Sequence, residues 1–134
     1  MATSSRGQGW RGPALRRRVP GMTRALPVAD PWYRTEPLSD RITLVTEPHV
    51  HPIFSANMHL VTGREADLLI DSGMGVAPLR TVVDALRPDP ERPLIHLATH
   101  THVDHVGAVH EFDLRLVHPL EAEAHERPAA YSLR

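Results

Sequence analysis

Cysteine and lysine are both missing from these 134 residues, and each absence removes a class of chemistry. Without cysteine there is no disulfide, no thiolate nucleophile and no thiolate-bound zinc, and the composition suits a reducing, cytoplasmic compartment. Without lysine there is neither a Schiff-base amine nor a phosphate loop ending in Gly-Lys. All fifteen basic residues are arginine, the usage expected of a GC-rich coding sequence. Long apolar runs are missing too: the stretch from Ala66 to Ile70 is interrupted by Asp67 and closed by Asp71. That is far short of the roughly 20 residues a bilayer-spanning helix requires. A chain of this length can bury one core, not two.

Acidic residues are absent from one segment only. Residues 1–29 carry six arginines and no acid, whereas residues 30–134 carry nine arginines against sixteen acids. The first segment is rich in Gly, Ser, Pro and Arg without hydrophobic periodicity, which predicts a disordered extension before a single domain over 30–134. An organellar transit peptide and a nucleic-acid patch at Arg16-Arg17-Arg18 are weaker readings, and no apolar stretch follows the arginines as a secretory signal would require. Met22 is a plausible alternative start. Neither nucleic acid nor a membrane is an expected partner.

From Asp30 onward the pattern is that of an α/β unit. Arg41 to Thr46 alternates polar and apolar residues as a half-buried strand does. Asn57 to Thr62 and Asp67 to Asp71 read as the next two strands, joined by the short connection Gly63-Arg64-Glu65-Ala66. Val76, Leu79, Val82, Val83 and Leu86 recur at helical spacing, and Arg87-Pro88-Asp89-Pro90 ends that helix. Leu94 to Ala98 reads as a buried strand. A short helix from about Gly107, a strand near Arg115 to Val117 and a helix from Leu120 to Glu126 follow.

Directly after the buried strand comes Thr99-His100-Thr101-His102-Val103-Asp104-His105-Val106-Gly107. His100 and His102 lie two apart, so in extended chain both side chains leave the same face and can share one ion. Asp104 and His105 follow at a turn that Gly107 would ease into a helix, directing them to a neighbouring position. Two ions close together are the natural reading, and the alternative for the four residues is a solvated polar loop. Other histidines carry weaker signals. His49-Val50-His51 is flanked by prolines without a carboxylate, which favours loop packing or substrate contact. His96 and His59 read as core histidines, with His96 hydrogen-bonded. His110 is expected to face solvent and His118 to end a strand.

The pattern His-x-His-x-Asp-His resembles the signature of the metallo-β-lactamase superfamily. Leu68-Leu69-Ile70-Asp71-Ser72-Gly73 looks like that family's earlier strand-end motif. The resemblance implies an αββα sandwich, here incomplete because a third histidine, a bridging aspartate and a last histidine would lie downstream of Arg134. It makes His100 and His102 ligands of a first metal and Asp104 and His105 ligands of a second, with Asp71 behind them at the floor of the site. Asp71 could equally cap the next helix. Ile42, Leu44, Leu69 and Leu94 are expected on the sheet face that meets the missing half. Exposure of that face would favour self-association.

Two close zinc ions would acidify a shared water and polarise a carbonyl or phosphoryl oxygen, with Asp104 as the catalytic residue that orients the attacking hydroxide and relays its proton. The resemblance therefore implies a zinc hydrolase of the glyoxalase II-like type. It would cleave an ester, thioester or related bond of a small-molecule substrate, and His51, Phe54 and Asn57 are candidates for the substrate loop. Iron or manganese would support an oxidoreductase with the same ligands. The reading from a different class is a truncated, catalytically inactive metal-binding fragment. A chain starting at Asp30 is expected to keep the thermal midpoint of the full chain, measured by thermal denaturation. A clear drop would show that the first segment docks onto the domain.

Overall fold

In a computed structural model, residues 27–126 are described, so the disorder expected for residues 1–29 falls almost entirely outside the described residues. The sheet has six strands in sequential order: β1 (Arg34–Pro37), β2 (Ile42–Thr46), β3 (Met58–Val61), β4 (Asp67–Ile70), β5 (Leu94–Leu97) and β6 (Leu114–Leu116). Strands β1 to β4 form an antiparallel meander, while β4, β5 and β6 run parallel. Parallel neighbours need crossovers. Helix α1 (Leu79–Leu86) supplies the first, and the four-residue helix α2 (Val103–Val106) with a 3-10 turn at Val109–Glu111 supplies the second. A 3-10 turn at Pro119–Glu121 and helix α3 (Ala122–Glu126) follow. No helix among the described residues is long and apolar enough to cross a membrane.

One face of the sheet is covered and the other is open. Val45, Met58, Leu60, Leu69 and Leu94 pack with Leu79 and Val83 of α1 and with Phe112 in one buried cluster. The registers place Ile42, Val61, Leu68, Ile95 and Leu114 in one row across the opposite face. Leu44, His59, Ile70, Leu97 and Leu116 form the next row. These residues are half-buried or exposed, Leu116 by 52%. The expected open face thus holds for Ile42 and Leu44, but Leu69 and Leu94 point to the helix side because their strand parity is the reverse.

Element boundaries differ from the sequence reading where backbone chemistry intervenes. Helix α1 begins at Leu79 rather than Val76, since Pro78 bars the residue before it from helical geometry. Asp71 therefore does not cap it. The first amides of α1 are instead accepted by Glu111, whose Oε2 lies 2.7 Å from the Arg80 N–H and whose Oε1 lies 3.3 Å from that of Leu79. Helix α2 starts earlier than expected, at Val103. It stops because the Gly107 N–H leaves the helix to donate to Gly73 O at 2.8 Å. Strand β6 and the segment after it are each shifted by a residue, and His118 ends no strand but accepts from Leu120 N–H at the start of a 3-10 turn.

The end of the sheet where β4 begins is tied by a buried ion network. Arg87 Nε donates to Asp67 Oδ2 at 2.8 Å and Arg87 Nη1 to Asp84 Oδ1 at 2.8 Å, with Arg92 Nη1 reaching Asp67 Oδ1 at 3.2 Å. Burial works to raise the pKa of Asp67, but the hydrogen bonds from Arg87, Gly63 and Arg92 outweigh it and hold the carboxyl below its usual range.

His96 is wholly buried and stacks on Phe112 with ring centroids 5.4 Å apart. Contrary to the sequence expectation, neither of its ring nitrogens has a hydrogen-bond partner among the described residues. Burial pushes its pKa down to about 4, and the charge of Asp71 only partly opposes this. The unfolded chain takes up this proton near pH 6.5, whereas the folded chain refuses it until about pH 4, so stability falls as pH drops through that window. The loss is ~3 kcal/mol at its full extent. His96→Leu is expected to remove this component, so that urea unfolding of the variant declines less steeply than wild type between pH 6.5 and 4. Parallel declines would contradict a buried neutral imidazole.

Candidate metal centre

The strand registers gather the site at one end of the sheet. The C-terminal ends of β2, β4, β5 and β6 and the start of β3 all point the same way. The connections 47–57, 71–78 and 98–102 therefore share that end, the usual ligand side of parallel strands.

The 71–78 connection touches the residue that ends helix α2 backbone to backbone. A Cβ on Gly75 would lie 2.4 Å from Gly107 O, and one on Gly107 would lie 2.2 Å from Met74 C. Gly107 itself has ordinary helical angles, φ −59° and ψ −41°. Its glycine is demanded by this close approach rather than by the turn geometry expected from sequence. The same contact is sealed by Ser72, whose N–H donates to His105 O at 2.8 Å.

Asp71 sits in the left-handed region at φ 61°, a conformation that aspartate tolerates and that its surroundings enforce. Its Oδ1 accepts from the Thr99 N–H at 2.8 Å, and its two oxygens lie 3.0 and 2.9 Å from the Thr99 hydroxyl. Its Oδ2 also lies 2.8 Å from His105 Nδ1. A carboxylate only accepts, so the hydroxyl proton of Thr99 and the Nδ1 proton of His105 both point at Asp71. Thr99 Oγ1 is then free to accept from His100 Nδ1, 3.1 Å away. The network thus leaves unshared lone pairs on Nε2 of His100 and Nε2 of His105.

Those lone pairs face further atoms able to bind a cation. His100 Nε2 lies 3.1 Å from His102 Nδ1, and His105 Nε2 lies 3.4 Å from Asp104 Oδ2. Two ligands on a tetrahedral ion at 2.0–2.1 Å are about 3.3 Å apart, so both separations suit pairs of donors sharing an ion. The rings of His100 and His105 are 4.0 Å apart between centroids, which brings the two pairs together. Asp104 and His105 are partly buried, His100 is partly exposed and His102 is exposed. The donor types and spacings fit a divalent metal. Among the described residues, however, no group of three or more His, Cys, Asp or Glu converges as a complete cage.

Sequence reasoning missed Thr99 and Glu121. The side chain of Glu121 accepts from the Thr101 hydroxyl, between the two histidines. That bond, opposed by some desolvation and helped by the Thr101 N–H and the nearby His100 and His102, holds its carboxyl below the usual range. A Thr preceding the first histidine was visible in the motif, but Glu121 lies twenty residues away with no pattern to link it. His49 Nε2 lies 3.3 Å from Pro31 O, and His51 Nδ1 accepts from the Ile53 N–H at 3.3 Å, so both serve the 47–57 loop. Phe54 and Asn57 are exposed on that loop, and His110 is exposed as expected. A separate cleft of about 420 Å³, lined by Asp113, Arg115, Val117, Ala122 and His125, contains none of the predicted site residues.

The family model of the metallo-beta-lactamase superfamily matches residues 51–131, and the chain belongs to that superfamily. Acyl-coenzyme A thioesterase MBLAC2 of Homo sapiens is 36% identical over 102 aligned positions, covering 69% of this chain and 37% of the relative. Its Gallus gallus counterpart is 38% identical, with 69% and 36% covered. The chain thus spans little more than a third of the length of these relatives. A metallo-beta-lactamase from Pontibacter korlensis has the same fold at a TM-score of 0.54 and 19% identity, over 71% of this chain and 48% of that one. The expected incomplete metallo-β-lactamase-like α/β fold is accordingly borne out.

The hydrogen-bond logic gives a direct test of the network. Imidazole nitrogen shifts are expected to report His100 and His105 with the proton on Nδ1. Thr99→Val should convert His100 to a mixture of tautomers while His105 keeps its own. A wild-type His100 protonated on Nε2 would contradict the assignment.

Proposed function

We propose that the chain is the N-terminal part of a metal-dependent hydrolase whose substrate is an acyl thioester. The observation that carries the reading is the pair of facing donor sets, His100 Nε2 with His102 Nδ1 in the loop after β5 and Asp104 Oδ2 with His105 Nε2 on helix α2 directly after it. The thioester is suggested by the relatives named acyl-coenzyme A thioesterase.

His100 and His102 would hold one ion, and Asp104 and His105 a second, with zinc the expected metal. A divalent ion held by these residues would supply acidification of water and polarisation of the carbonyl oxygen. The remaining work falls to the chain. Asp71 and Thr99 keep protons on Nδ1 of His105 and His100, which preserves both Nε2 lone pairs for binding. Asp104, one oxygen engaged beside His105, accepts the proton of the attacking water and passes it to the departing thiolate. Phe54 and Ile53, exposed on the 3-10 turn Pro52–Phe54, offer apolar surface to an acyl chain, and His51 and Asn57 offer polar contacts.

A second reading concerns the chain by itself. With two donors per ion rather than the three of a typical catalytic zinc, the isolated chain binds metal weakly and turns over little. Its open apolar face, bearing Leu114 at 50% exposure and Leu116, favours self-association.

Zinc content after dialysis is expected to exceed that of the double variant His102→Ala/Asp104→Ala. Equal metal in both would sink the site. Thiol release from acyl-coenzyme A is expected near background for the isolated chain and to appear, chelator-sensitive, in a version extended to the length of its relatives. Robust chelator-sensitive turnover by the short chain as a monomer would refute the second reading, and no turnover by the extended one would refute the first.

A further inference from the structure

Glu47 lies just past the end of β2 and is fully buried. Among the described residues no arginine or histidine forms an ion pair with it. A carboxylate removed from water is costly unless its oxygens are satisfied, and here each oxygen accepts one hydrogen bond. Trp32 Nε1 donates to Oε1 at 2.9 Å, and the Met74 N–H donates to Oε2 at 2.8 Å. The carboxylate also fills the space that a side chain at 73 would need, since a Cβ on Gly73, at φ 63°, would lie 2.4 Å from Oε2.

The residue held in this way belongs to the loop that carries Asp71. From that loop Gly73 O accepts from Gly107, Ser72 bonds His105 O, and Asp71 bonds the His105 ring. The carboxylate is therefore joined to helix α2 through one rigid loop without touching any proposed ligand.

We propose that Glu47 is a positioning residue for the candidate metal site: its carboxylate fixes the Asp71–Gly75 loop, and the loop fixes the helix that carries Asp104 and His105. The metal part of this inference rests on the proposed function above. Two N–H donors demand two acceptors, and an amide offers one oxygen and one NH2 group. Glu47→Gln therefore sets its NH2 against one of the two donors, despite nearly identical shape. Adding Trp32→Phe removes the indole donor and lets the amide oxygen turn to Met74.

The test uses the full chain with Glu47→Gln, Trp32→Phe and the double variant. Amide hydrogen exchange of Ser72, Met74 and Gly107, measured without metal, is expected to quicken on the order of 10-fold in Glu47→Gln, toward the low end of what a buried donor left without an acceptor costs. Leu60 and Leu69 in the sheet should keep wild-type exchange, and the double variant should recover most of the protection. Zinc affinity, read by competition with a chromophoric chelator, should weaken by a similar factor in Glu47→Gln and recover in the double variant. Unchanged exchange in the loop overturns the proposal. So does uniformly faster exchange that includes the sheet, which is plain destabilisation, and so does loosened exchange with wild-type zinc affinity. A wild-type chain that takes up no zinc overturns the metal reading alone, because the exchange pattern still decides whether Glu47 positions the loop and α2.

Discussion

Backbone contact between the loop after β4 and the segment after β5 is the constraint on which the rest of this site depends. Gly73, Gly75 and Gly107 let the two chains approach closely enough for the Gly107 N–H to reach Gly73 O. Only at that separation can Asp71 serve Thr99 and the His105 ring together. The contact is anchored on both sides: Ala108 and Phe112 enter the core immediately after Gly107, and Glu111 reaches back to the first amides of α1. A side chain at Gly75 or Gly107 would pry apart the two segments and the carboxylate from the imidazole with them, and one at Gly73 would displace Glu47.

The two ends of the sheet use polar groups in opposite ways. At one end Asp67, Arg87, Asp84 and Arg92 saturate one another, and such a buried network is costly to break one member at a time. At the other end hydrogen bonds run in one direction, from Thr99 and His105 into Asp71 and from His100 into Thr99, and leave ring nitrogens that face His102 Nδ1 and Asp104 Oδ2. The first arrangement is complete in itself. The second gathers negative and lone-pair character at an accessible edge, where a cation would satisfy what the protein leaves open.

Much of this was legible in the sequence, for reasons that can be named. Leu79, Val82, Val83 and Leu86 form the buried stripe of α1 because helical period alone sets their direction. Ile42 and Leu44, and the strands β3 to β5, follow from period-two alternation and turn residues. The four donors of the His-x-His-x-Asp-His motif could be read because they lie within six residues. What could not be read was long-range. Strand β1 is four exposed residues including proline, and it exists only because β2 offers it an edge. Glu47, Thr99 and Glu121 act through distant partners, Glu47 with Trp32 across 15 positions and Met74 across 27, Thr99 with Asp71 across 28 and Glu121 with Thr101 across 20, and no local period encodes such pairs. The faces of Leu69 and Leu94 were misassigned because hydrophobic runs in buried strands do not announce which side faces the helix.

Because all four proposed donors sit between His100 and His105, the unfolded chain would carry nearly the same candidate ligands as the folded one. An ion that binds both forms stabilises the native state only by the difference in affinity. That difference would come less from bringing the donors near one another, which their closeness in sequence already favours, than from holding them in place. It would come from what only the fold supplies: Asp71, 34 residues from His105 in sequence, which selects the proton position on that imidazole, with Thr99 doing the same for His100. For the proposed ligands the native fold would thus add selectivity among protonation states and a fixed placement of the helix, and the gain from a bound ion to folding would depend on side chains that are not themselves among those ligands.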